Sequence, residues 1–259
     1  MASSPHLNSD WMSMLCPQLW DLPLHHLSIP GSRDTMTYCL SRKSPISHSE
    51  SRLLQLLGKV LPCVTLPMVL RWSVTQTLDV TEQLDAGVRY LDLRIAHMPG
   101  GSERNLHFVH KVYSTALVEE VPTLRQLWAR GQQVLVSYEH EGSVRRHRVL
   151  WPAVPYWWAD QVNTEALISY LERMKSCGRP GGLFAAGVNL TGHLTYVLAH
   201  LSRSLSQVTL AGLPMLTAWV REQCPGSGSH CTNIITGNFV GAGSFVCDVI
   251  ALNWKLLRS

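Results

Sequence analysis

The sequence predicts an α/β fold built on a parallel sheet. Strand-like and helix-like runs alternate along the chain, the pattern of strands joined by helical crossovers. The length of 259 residues is close to the ~250 typical of a (β/α)₈ barrel. An apolar run ending at Ile29 breaks at Pro30-Gly31 and delivers a short polar group, Ser32-Arg33-Asp34-Thr35. Barrel enzymes place catalytic side chains at strand ends of that kind. Together these features predict a TIM-type (β/α) barrel. Only six strand candidates are visible against the eight of a closed barrel, so the barrel is expected to be incomplete or distorted.

The strand candidates are Leu22 to Ile29, Val88 to Ile95, Leu106 to His110, Val134 to Glu139, Leu183 to Leu190 and Asn233 to Val240. Helical candidates are Glu50 to Lys59, Thr123 to Arg130, Thr164 to Met174, Leu213 to Gln223 and Ser244 to Leu256. The last is amphipathic with ordinary core spacing and is expected to close the barrel. Pro-Gly clusters at Arg179 to Gly182 and Pro225 to Gly228 punctuate the later units. Without repeats or low-complexity segments, the expectation is one domain over residues 11–259 after a disordered segment at 1–10.

Composition excludes several classes. The net charge of +4 is a mild excess. Its basic residues (Arg42 and Lys43, Arg145 to Arg148) are scattered over what read as solvated faces, so no nucleic-acid partner is expected. Met1 to Asp10 lacks the apolar core of a secretory signal. No run reaches the ~18 apolar residues of a membrane span, and the most apolar window, Val60 to Leu70, is cut by Pro62 and Pro67. Seven irregularly spaced cysteines without Cys-x-x-Cys suggest reduced thiols and a cytoplasmic location. The sequon Asn189-Leu190-Thr191 reads as a strand-end coincidence.

Five motifs occur in order. They are Pro30-Gly31-Ser32-Arg33-Asp34-Thr35, Val88-Arg89-Tyr90-Leu91-Asp92-Leu93-Arg94, Leu106-His107-Phe108-Val109-His110, Trp151-Pro152, and Asn233-Ile234-Ile235-Thr236-Gly237-Asn238-Phe239-Val240. In that order the chain resembles the X domain of the phosphatidylinositol-specific phospholipase C family, especially its small X-domain-containing members. The resemblance runs from about Trp11 to the C-terminus. It implies a phospholipase-C-like phosphodiesterase fold, a phosphatidylinositol-type lipid or inositol phosphate as ligand, peripheral membrane contact and no cofactor. The implied reaction is attack of the inositol 2-hydroxyl on phosphorus, which needs a base, an acid and positive charge on the phosphoryl oxygens.

Site residues follow from the same resemblance. His110 matches the general acid, with Asp34 orienting it; otherwise His110 is a satisfied surface or core histidine. Arg94 matches the arginine that stands in place of calcium in metal-independent relatives, and its guanidinium fork suits phosphate oxygens. Asp92 would hold Arg94 or the sugar hydroxyls, or form a plain structural pair with it. Lys111 would add positive charge for substrate binding, and no metal site is implied. Arg33 stands where the family has its general-base histidine, and arginine cannot act as a base near neutral pH. Asn238 stands where the family has the aspartate that supports that histidine. His26, His25, His140 and His147 do not offer a substitute.

The resemblance also locates the missing strand. A βα unit normally follows the second histidine, whereas here Val118-Glu119-Glu120 runs directly into Val121-Pro122-Thr123-Leu124. A splice form, a faulty gene model and an evolved variant would each produce that junction. Three readings result: an impaired phosphodiesterase, a non-catalytic module binding inositol phosphates or anionic headgroups, and a truncated isoform without a stable fold. Trp151, Trp157 and Trp158 with Tyr156 are expected to pack beneath the barrel rim, the alternative being a membrane-touching loop.

Overall fold

The computed structural model describes residues 8–40, 46, 51–97, 106–111, 123–132, 135–147 and 150–258; the side chains of 95–97 and 106–111 lie outside that description. β1 (Ile29–Ser32) leads through α1 (Arg52–Val60), α2 (Pro62–Ser73) and α3 (Val80–Ala86) to β2 (Tyr90–Leu91). A hairpin of β3 (Arg94–His97) and β4 (Leu106–Lys111) follows. Then come α4 (Leu124–Ala129), α5 (Glu141–Arg146), β5 (Tyr156–Trp157), α6 (Thr164–Ser176), β6 (Ala185–Val188), α7 (Leu194–Ala199), α8 (Leu205–Glu222), β7 (Ile234–Gly237) and α9 (Phe245–Ala251). One parallel sheet runs in the order β2-β1-β7-β6-β5, and among the described residues it does not close. The fold is an α/β barrel left incomplete.

Register sorts the strand residues into layers. Ile29 pairs with Ile234, Ile234 with Ala185 and Ala185 with Tyr156. One level up, Gly31 pairs with Tyr90 and Thr236, and Thr236 with Gly187. Successive strand residues face opposite sides, so Ile29, Gly31 and Arg33 share the inner face, with Ile234, Thr236 and Asn238 beside them. Ile29, Ile234 and Ala185 join Leu24, Leu124 and Leu127 in one apolar cluster inside the barrel. Outward-facing Ile235, Ala186 and Val188 join Leu167, Leu171, Val220 and Val249 in the larger cluster beneath the helices. Gly31 is required where it stands: a Cβ there would lie 2.7 Å from Thr236 Cγ2 and 2.9 Å from Tyr90 Cδ1.

Local chemistry sets most helix starts. Asp79 and Glu82 form a capping box at α3, Thr123 and Gln126 at α4, and Ser204 and Gln207 at α8. Each satisfies two otherwise orphaned N–H groups. Pro62 occupies the first turn of α2, where its missing N–H costs nothing. After α9 a 3-10 segment, Leu252–Leu257, carries the fully buried Asn253. Its amide accepts from Ser28 N at 2.8 Å and donates to Ser28 O at 2.9 Å, tying the C-terminal segment to the start of β1. Among the described residues no helix is long and apolar enough to cross a membrane.

Several expectations are corrected. The first strand covers Ile29–Ser32 rather than residues 22–29, because Pro23 opens a 3-10 turn over Leu24–His26 that buries Leu24 as an anchor. The strand expected over 88–95 breaks after Leu91, where Asp92 turns its carboxylate to Arg94. Leu106–Lys111 is not a parallel barrel strand; it pairs antiparallel with Arg94–His97. The short link 98–105 permits a hairpin but not a parallel crossover. Of the strand expected over 134–139, the described residues keep one parallel bridge, Ser137 to Trp151. Tyr156–Trp157 is itself a strand rather than a satellite cluster, and α8 begins eight residues earlier than expected. Residues 1–7 and the junction at 118–122 lie outside the described residues.

Gly31→Ala should destabilise the protein by about 1–3 kcal/mol through overpacking of the inner layer. Urea unfolding followed by circular dichroism measures this, and an unchanged midpoint would contradict the layer assignment.

Candidate active site

The end of β1 and the end of β2 are stitched together by Asp92. Its N–H donates to Ser32 O at 3.1 Å, and its carbonyl accepts from Thr35 N at 2.9 Å. Asp34 occupies the left-handed region with φ 44°, sparsely populated by residues other than glycine. The Asp34 N–H reaches Asp92 Oδ2 at 3.4 Å, so the turn is held from the neighbouring strand. Ser32 and Thr35 share a 2.7 Å hydroxyl contact across it.

Four charged side chains then converge. Arg94 Nε lies 2.9 Å from Asp34 Oδ1 and 3.3 Å from Asp92 Oδ1. Arg94 Nη2 lies 3.1 Å from Asp92 Oδ2. Arg33 Nε meets the other Asp34 oxygen at 3.2 Å, and its guanidinium sits 5.3 Å from the ring centre of Trp158. Burial alone would lower the Arg94 pKa, but the charges of Asp92 and Asp34 outweigh it and hold it above the ordinary value. Arg33, Asp34, Asp92 and Arg94 are therefore brought together at the strand ends.

The other expected residues divide. His110 and Lys111 lie on β4, where the backbone of Lys111 pairs with that of Arg94; their side chains lie outside the described residues, as does that of His107. Asn238 is buried: its Nδ2 donates to Leu190 O at 2.9 Å, and among the described residues its Oδ1 has no hydrogen-bond partner. Asn189 of the sequon is fully buried, which removes it as a glycosylation acceptor in the folded chain. Among the described residues no three His, Cys, Asp or Glu side chains come together to hold a metal ion.

Three neighbours of the cluster were not among the expected site residues. Gln76, fully buried, donates to both Arg33 O (3.0 Å) and Gly237 O (2.9 Å) and accepts from Val240 N (3.2 Å). It pins the ends of β1 and β7 at equal height. Tyr156 donates to Asn189 Oδ1 at 2.8 Å and contacts Thr236 Oγ1 at 2.5 Å. Burial pushes its phenol up to about 12, against the pull of the Arg33 charge and the Thr236 hydrogen bond. Trp158 is half exposed above Arg33 and donates to Thr191 Oγ1. Signals existed only for the aromatics, in the run after Pro155. Below the cluster a cavity of about 710 Å³ descends into the open barrel, lined by Tyr90, Ile29 and Ile234 among others.

Solved structures of phosphatidylinositol-specific phospholipases C are similar to this chain in fold. One from Staphylococcus aureus matches with a TM-score of 0.57 at 11% identity, over 97% of this chain and 99% of that one. One from Listeria monocytogenes matches with a TM-score of 0.54 at 16% identity, over 95% and 98%. At such identities the likeness establishes the fold. No family model matches the chain, but curated relatives do. PI-PLC X domain-containing protein 1 of Homo sapiens is 64% identical, covering 96% of this chain and 94% of its own length. The protein of that name is 54% identical in Mus musculus and 37% in Danio rerio. The chain belongs to the PI-PLC X domain-containing protein family. The human alignment spans 302 positions against 259 residues here, so it contains positions this chain does not fill.

Tyr156 supplies a pH test. Its pKa of about 12 in the fold exceeds the ~10 of an unfolded tyrosine, so the native state keeps the proton longer. That stabilisation is complete below about pH 10 and is lost as pH rises toward 12. Urea midpoints across this window should fall more steeply in the parent than in Tyr156→Phe. Parallel slopes would contradict the assignment.

Proposed function

We propose that the protein is a phospholipase-C-type phosphodiesterase directed at phosphatidylinositol-type lipids, with its chemical step impaired in this chain. The observation that carries the reading is the state of the general-base position. Arg33 is buried there, held by Asp34 beside Arg94, and cannot accept a proton. Family membership supplies the substrate class. Arg94 binds the phosphate, Asp92 and Asp34 hold it in place, and His110 is the acid. Lys111 adds charge at the same end. Loss of a general base costs ~10²- to 10⁴-fold in rate, which makes the chain a binder of inositol headgroups more than a catalyst.

An apolar ridge supports peripheral contact with a membrane. Leu53, Leu56, Val60, Leu61 and Val64 are all more than half exposed. They sit on α1, α2 and the residue between, in the connection that leaves the site end of β1. A structure of the Staphylococcus aureus enzyme concerns modulation of its membrane binding. Replacing Leu56 and Val60 by serine should weaken binding to phosphatidylinositol vesicles several-fold and leave soluble inositol phosphate binding unchanged. Equal vesicle binding would remove the ridge from the reading.

Restoring both altered positions tests the impairment. Arg33→His with Asn238→Asp should raise cleavage of phosphatidylinositol in vesicles, and Arg33→His alone should do less because the imidazole lacks its carboxylate. Asn238→Asp alone should destabilise the fold, since it exchanges the amide donor to Leu190 O for a buried charge. A folded double variant without gain would reject the account. Chelators should leave residual cleavage unchanged; a calcium requirement would reject the role given to Arg94.

A further inference from the structure

We propose that the open barrel interior binds a single-chain anionic amphiphile, its charged head at Arg33 and Arg94 and its hydrocarbon chain inside the barrel. The reading deepens the proposed function by adding a chain-binding part to the same site, and it rests on that function only at the rim.

In a closed barrel, inward side chains from eight strands fill the interior. Here β3 and β4 turn aside as a hairpin, and among the described residues no strand joins β2 to β5. The result is the cavity of about 710 Å³, within the ~300–1,000 Å³ of small-molecule pockets. Its walls are asymmetric. Ile29, Leu127, Leu135, Trp151, Leu183 and Ile234 make the lower part apolar. Among the described lining residues, Arg33, Asp92, Arg94 and Glu139 put charge at the upper rim, and the one charged residue at the lower end, Arg89, spends its guanidinium on the carbonyls of Ser9, Leu84 and Val88. An occupant must therefore be elongated, apolar along its body and polar at one end.

The rim selects the sign of that end. Asp34 and Asp92 are paired with the two arginines, and Glu139, which also lines the rim, is exposed to solvent. Among the described residues, Nη1 and Nη2 of Arg33 have no hydrogen-bond partner, so its fork can meet an anion without breaking the pair to Asp34. A phosphate or carboxylate head suits it. A chain held this way would compete with an inositol headgroup for the rim.

A length series separates this site from surface adsorption. n-Alkyl phosphates from hexyl to tetradecyl, kept below their micellar concentrations, are titrated calorimetrically into the intact chain. Affinity should rise about fourfold per methylene and then level off once the cavity is full. Val154→Trp and Leu135→Trp, each checked for native circular dichroism, should bring the plateau to shorter chains. n-Alkyl carboxylates in parallel tell a fatty-acid source from a phosphate-headed one. No length dependence, a rise without plateau, or a plateau unmoved in both tryptophan variants would overturn the proposal, as would n-alkyl alcohols binding equally well. Failure of soluble inositol phosphate to bind would sink the headgroup reading alone and leave the length series standing.

Discussion

The site depends on Asp92. Its backbone joins the ends of β1 and β2, its carboxylate takes Arg94, and one oxygen receives the Asp34 N–H. A left-handed backbone at a residue such as Asp34 costs about 1–3 kcal/mol, and a hydrogen bond to a charged group is worth about 1.5–3 kcal/mol. The two are of similar size, so the turn persists because several contacts reinforce it. Removing Arg94 would take from Asp92 the charged partner it has among the described residues, while Asp34 would keep its pair to Arg33.

Arg33 alters the character of the site as well as its chemistry. A histidine there would change charge near neutral pH; a guanidinium does not. Two arginines now balance Asp34 and Asp92, so the described part of the cluster is neutral as a whole. Its capacity for an anion comes from unused donor directions rather than from excess charge. Asn238 fits the same picture, because its amide nitrogen serves the wall through Leu190.

What could be read in the sequence was what is local. Arg33, Asp34, Asp92 and Arg94 fall within two short motifs at strand ends, and the structure gathers them at one place. The helices α4 and α6 fall within the expected ranges, and in the structure Thr123 and Asn163 cap their N-termini. The start of α8 was missed although Ser204 and Gln207 mark it, since Gly212 and Pro214 resemble a break. The antiparallel hairpin was legible in its short link and was overruled by the barrel pattern. Gln76 could not be found at all: its partners at Arg33, Gly237 and Val240 meet it only after folding.

An unclosed barrel would ordinarily be an invitation to aggregate, since each bare edge offers a row of donors and acceptors to another chain. The two outermost strands of this sheet, Tyr90–Leu91 and Tyr156–Trp157, are two residues long. So short a strand gives an incoming segment too few partners to nucleate a ladder, and beyond Tyr90–Leu91 the chain leaves the sheet for its own hairpin. The five-stranded sheet thus ends on both sides in edges too brief for another molecule to extend.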